Sequence, residues 1–198
     1  MPNFQNEKKL VLDYWNEVDK CNNQDLEKII SKYTSNNFHM RCTHPFNELD
    51  GVEQVANKLW VPIKKSFKPI QRRLDIFYAG ENSLDENGGV WISSMGHLMG
   101  VFNKNFFGLQ PHYKSSLLRF AEFYKVEENK ITEGAIFLDI FNFMQQLGLS
   151  IIPESTGLVC VTPGPMNHKG LKFDLSNKNE GEKTLELIHR MRDRLVKG

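Results

Sequence analysis

The stretch "LLRFAEFYKVEENKITEGAIFLDIFNFMQQLG", residues 117–148, decides the fold. Two runs rich in aromatic and β-branched residues are separated only by the polar "EENK", and such a spacer joins strands as an antiparallel hairpin. The second run passes into a helical segment and carries a carboxylate in its middle. Asp139 stands among Ile136, Phe137, Leu138, Ile140 and Phe141, and an ionised carboxylate taken out of water is costly unless it is paired or hydrogen-bonded. Either Asp139 is satisfied structurally, with Arg119 on the neighbouring strand as partner, or it does chemistry. Alternation places it on one sheet face with Glu133, Ala135, Phe137 and Phe141.

Upstream, "IQRRLDIFYAG" (70–80) and "GGVWISSMGHLMGVF" (88–102) read as further strands, bounded by the turn-rich "ENSLDENGG" and "NKNFFGLQPH". Before them come helices. Leu10, Val11, Tyr14, Trp15 and Val18 recur at three- and four-residue steps, and Leu26, Ile29, Ile30 and Tyr33 repeat the pattern over residues 24–33. A third helix over about Val52–Trp60 meets Pro62, which is expected to stop or kink it. The strands "VWISSMGHLMGVF" and "LLRFAEFYKV" carry bulky apolar residues on both parities, so a second sheet face needs covering, and a homodimer is expected.

After Leu149 the character changes. "IIPESTGLVCVTPGPMNHKGLK" (151–172) is rich in proline and glycine without a stable period and reads as an extended arm. A last helix over about Asn179–Val196 carries an apolar stripe of Leu185, Ile188, Met191 and Leu195. With Leu158, Val159 and Val161, that stripe predicts that arm and helix pack on the domain or on a dimer mate. The chain divides into a domain over residues 1–150 and an arm with helix over 151–198.

The 198 residues include 25 Lys and Arg against 24 Asp and Glu, so no net field draws nucleic acid or anionic lipid. Three widely spaced cysteines and a polar start predict a reducing, cytoplasmic setting. No apolar run approaches the roughly 20 residues needed to span a membrane.

Residues 117–148, together with "HPFNELDG", "LWVPIKKSF", "RRLDIFYAGE" and "VWISSMGHLMGVF", make residues 8–150 resemble the SnoaL-like polyketide cyclases of the nuclear-transport-factor-2-like superfamily. "PGPMNHKG" and the last helix resemble the connector of longer members with two such domains. The resemblance implies an α+β cone: a strongly curved antiparallel sheet packed against three N-terminal helices, with a pocket at its open end. It also implies cyclase or isomerase chemistry on a small hydrophobic carbonyl compound, without a cofactor, through a carboxylate of raised pKa. The alternative is a binding or dimeric structural module of the same fold.

Asp139 matches the family's aspartate before "QLG". Where the cyclases carry a histidine on the preceding strand, this chain has Phe123 or Tyr124. His97, flanked by Gly96 and Gly100, offers an imidazole from an adjacent strand, so the expected catalytic group is Asp139, His97 and Tyr124. Trp15, His44, Trp60, Phe77, Met95, Arg119 and Phe137 are the expected pocket wall. No metal site is expected, because alternation sends His39 and Cys42 to opposite faces and no further soft ligand lies near.

Overall fold

The computed structural model describes residues 4–82, 88–149, 153, 164–175 and 178–197. Leu158, Val159, Val161 and Cys160 lie outside the described residues. Two helices open the chain, α1 (Gln5–Lys20) and α2 (Leu26–Tyr33). Strands β1 (Thr34–Cys42) and β2 (Glu48–Asp50) follow. The third helical stretch does not stop at Pro62. Helix α3 (Gly51–Gln54) leads into a wide π turn at Val55–Trp60 and then α4 (Val61–Ser66). Pro62 falls in the first turn of α4, where a missing N–H and a preset φ cost least, and the π turn before it absorbs the change in hydrogen-bond register.

Four long strands complete the sheet: β3 (Phe67–Glu81), β4 (Val90–Phe102), β5 (Ser115–Glu127) and β6 (Lys130–Leu138). Among the described residues the order is β2-β1-β6-β5-β4-β3. β3 to β6 form an antiparallel meander, and β1 joins β6 in parallel. The β5–β6 hairpin turns at Glu128 and Asn129, both at positive φ, as its tight two-residue connection requires. Helix α5 (Ile140–Gln146) follows β6 directly, and α6 (Lys178–Lys197) is the last element.

The helices cover one face of the sheet, and the core lies between. Tyr14 and Trp15 of α1 meet Tyr124 of β5 edge-on, with ring centroids 5.6 and 6.0 Å apart, and Trp15 meets Phe77 of β3 at 5.8 Å. Phe143 of α5 closes one end against Phe67, Phe102 and Phe106. Gly96 permits close strand approach here, since a Cβ on it would lie 1.9 Å from the Arg73 carbonyl oxygen.

β3 is an edge strand, and the arm pairs with it. The Phe77 N–H donates to the Gly170 carbonyl at 2.8 Å and the Lys172 N–H donates to the Phe77 carbonyl at 2.7 Å, while Phe173 stacks beside the Phe77 ring. This contact blunts an edge that would otherwise invite another strand. Helix α6 does not take the first of its two expected places, on its own domain. Leu185, Ile188, Met191 and Leu195 are all more than half exposed, so its stripe does not pack on this chain. No described helix is long and apolar enough to cross a membrane.

Candidate functional site

Alternation along β3, β4 and β5 sends Arg72, Leu98, Phe120, Glu122 and Tyr124 to the helix-covered, concave face. The Arg72 side chain is 6% exposed. Its guanidinium carbon lies 4.9, 5.4 and 5.0 Å from the ring centroids of Trp15, Trp60 and Phe120, within cation–π range of all three. Two carboxylates share its protons. Nη1 donates to Glu122 Oε1 at 2.8 Å, while Nε and Nη2 donate to the Asp19 oxygens at 2.9 and 3.3 Å. Burial alone would lower the Arg72 pKa, but Asp19 and Glu122 outweigh it and hold the guanidinium charged.

Glu122 is completely buried. Burial pushes its carboxyl above the ordinary glutamate value, against the pull of Arg72. The second oxygen, Oε2, has no hydrogen-bond partner among the described residues, and neither do the hydroxyls of Tyr14 and Tyr124 or the indole N–H groups of Trp15 and Trp60. Trp15 approaches Glu122 and Tyr124, and Trp60 approaches Tyr14, without completing bonds of good geometry. Two phenol hydroxyls and two indole N–H groups therefore share this buried cluster with Oε2, although unmade bonds in a core are costly. Burial also raises both phenols, Tyr124 strongly with help from the Glu122 charge, so they stand as hydrogen-bond donors at neutral pH. Cys42, nearby on β1, has a thiol pushed up to about 12 by burial and by Glu122, which makes it an inert neighbour.

The sheet separates the residues singled out from sequence. Trp15, Trp60, Phe77 and Tyr124 stand inside the cone. Met95, His97, Arg119, Phe137 and Asp139 belong to the convex side. His97 pairs across the ladder with Arg119, whose carbonyl accepts the Asp139 N–H. A hollow of about 240 Å³ on that side is lined by Met95, Arg119, Ala121, Phe137 and Asp139. His44 lies exposed in the β1–β2 loop.

Asp139 is the N-cap of α5: its Oδ1 accepts the Asn142 N–H at 3.0 Å. The expected apolar surround is absent, because Phe137 and Phe141 are 54% and 60% exposed. Nor do its expected partners gather. Tyr124 faces the opposite side of the sheet, and β5 intervenes between His97 and Asp139, two strand spacings or roughly 10 Å. His97 instead bonds Asp75 at 3.1 Å through Nδ1, and burial lowers its pKa against the pull of Asp75. No cluster of three or more metal-ligating side chains occurs among the described residues.

Sequence reasoning reached Tyr124 and missed Glu122 two residues before it. The signal was present, since "FAEFY" puts Glu122 at period two between Phe120 and Tyr124.

No family model and no curated protein matches the sequence. Solved structures do match. A candidate SnoaL-like polyketide cyclase from Jannaschia sp. CCS1 superposes with a TM-score of 0.58 at 15% identity, covering 77% of this chain and 97% of that one. AclR, a candidate hydroxylase from Streptomyces galilaeus, gives 0.56 at 20% identity over 72% and 96%. An NTF2-like protein from Burkholderia thailandensis E264 gives 0.51 at 14% over 72% and 96%. The chain therefore has the SnoaL-like, NTF2-like cone fold, as the resemblance read from residues 117–148 implies.

Proposed function

We propose that the concave interior is an acid–base site for a small, flat carbonyl compound, with Glu122 rather than Asp139 as the proton carrier. The observation behind this reading is the Glu122 carboxyl itself: fully buried, anchored through Oε1 on Arg72, and left with Oε2 unpartnered among aromatic donors. A carboxylate of raised pKa is a stronger base than an ordinary one, and Arg72 fixes its orientation. Oε2 takes a proton from the carbon beside the carbonyl. The Tyr14 and Tyr124 hydroxyls donate to the carbonyl oxygen as it becomes an enolate, and Glu122 returns the proton. Enolisation of this kind underlies both aldol ring closure and double-bond isomerisation. The solved neighbours described as polyketide cyclases are consistent with that class.

The test is exchange of the α-protons of α-tetralone in D₂O, followed by NMR. The wild-type protein is expected to accelerate exchange, and Glu122→Gln, which keeps an acceptor for Arg72 but cannot take a proton, to reduce it by about a hundredfold or more. Tyr124→Phe, which removes only a donor, should also slow it. Absence of acceleration, or full activity in both variants, would exclude the reading.

We also infer that the convex face is covered by a second copy of the chain. Tyr78 and Phe137 are about half exposed there, beside the partly exposed Trp91, Met95, Met99 and Phe123. An apolar face of this extent marks an association surface. Light scattering should give twice the chain mass, and Phe137→Glu should return the monomer.

A further inference from the structure

The two carboxylates on Arg72 differ in accessibility. Glu122 is sealed inside, whereas the Asp19 side chain is 16% exposed. Asp19 belongs to the last turn of α1 and lines an open cleft of about 690 Å³ between that turn and the start of β3. Lys64, Lys68, Phe67 and Ile70 share the wall. Lys64 Nζ donates to the carbonyl oxygens of Val18 and Asp19, which fixes the backbone beneath Asp19. Asp19 is thus a carboxylate standing between the cleft and the buried guanidinium, bonded to it by two N–H groups. A free carboxylate takes this same fork on arginine.

Resting on the reading of the interior as an acid–base site, we propose that its substrate carries a carboxylate group that enters from the cleft and takes the place of Asp19 on Arg72. The exchange swaps one doubly bonded carboxylate for another, so the buried guanidinium is never left short of a partner. Two lysines against one aspartate on the cleft wall favour an anionic visitor. With its carboxylate on Nε and Nη2, the ligand's remaining body lies toward Trp15, Trp60 and Phe120, whose rings surround Arg72, and toward Glu122 on Nη1. The ligand class is therefore an aryl or cyclic ketone bearing a carboxylate a few bonds from the carbonyl.

The probes are benzoylpropionate and its methyl ester, which differ in charge and little in shape, titrated calorimetrically. The acid should bind the wild-type protein about tenfold or more tightly than the ester, the worth of a charge-assisted pair. Asp19→Asn, which weakens the internal competitor, should tighten the acid by about a further tenfold and leave the ester unchanged. Equal binding of acid and ester to the wild type, or weaker binding of the acid to Asp19→Asn, would overturn the proposal. The wild-type comparison alone decides the matter if the variant does not fold. Exchange of α-tetralone without preference for the acid defeats this inference only. Failure of α-tetralone exchange together with failure of both probes to bind removes the underlying site as well.

Discussion

The two faces of one sheet treat their charged residues differently. On the concave side Arg72 and Glu122 are packed among aromatic rings, with Asp19 at the rim, and several polar atoms around Glu122 go unpaired. On the convex side the buried His97 and Lys125 are bonded to Asp75, Glu127 and Glu133, while Asp139 caps a helix and Arg41 pairs with Glu133 near solvent. The solvent-near pair contributes little to stability, and its loss is tolerated. The concave cluster is costly to maintain, and strongly perturbed buried groups of this kind concentrate at functional sites.

The largest effect is expected for Arg72→Ala, which leaves the buried Glu122 and the neighbouring Asp19 without their cation. We expect a loss of about 3 to 5 kcal/mol by chemical denaturation. Next comes Gly96→Ala. Its Cβ collides with the Arg73 carbonyl and must push β3 from β4, at about 1 to 3 kcal/mol. Asp139→Ala should cost only about 1 kcal/mol, the worth of a helix N-cap, and Asp139→Asn close to nothing because asparagine caps equally well. A large loss for Asp139→Asn would restore a buried ion pair to the convex side.

The smallest effect is in pH dependence, and the faces oppose each other. Glu122 has a folded pKa above its ordinary 4.5, so the folded state holds the proton more tightly. Its contribution is present in acid and fades as pH rises from about 4.5 toward the folded value. His97 has a folded pKa below its ordinary 6.5, so the unfolded state binds more protons, and stability falls as pH drops below about 6.5. Denaturation midpoints across this range should lose the rising slope in His97→Gln and the falling slope in Glu122→Gln.

Much of the fold was legible because helix and strand periods are local. The stripe from Leu10 to Val18 and the "EENK" turn each fix an element on their own. The site was less legible. Period two correctly set Asp139 beside Phe137, yet it does not tell which face the helices cover. That depends on pairing between strands far apart in sequence and on irregularities such as the shift between Leu74 and Ile76, where Asp75 drops out of alternation. Pro62 left stop and kink open for a similar reason, since the π turn before it, which carries the helical stretch onward, was invisible to a rule about single residues. Arg72 had to be found through its partners, which come from α1, the π turn and β5 and meet it only in three dimensions.

Whether chemistry belongs to the concave face is decided by a crystal structure with α-tetralone bound. The ketone is expected between α1 and the sheet, its oxygen within hydrogen-bond distance of Tyr14 or Tyr124 and its α-carbon against Glu122 Oε2. A ketone seated instead in the convex hollow against Asp139 and Arg119, with the interior unchanged, would contradict that expectation.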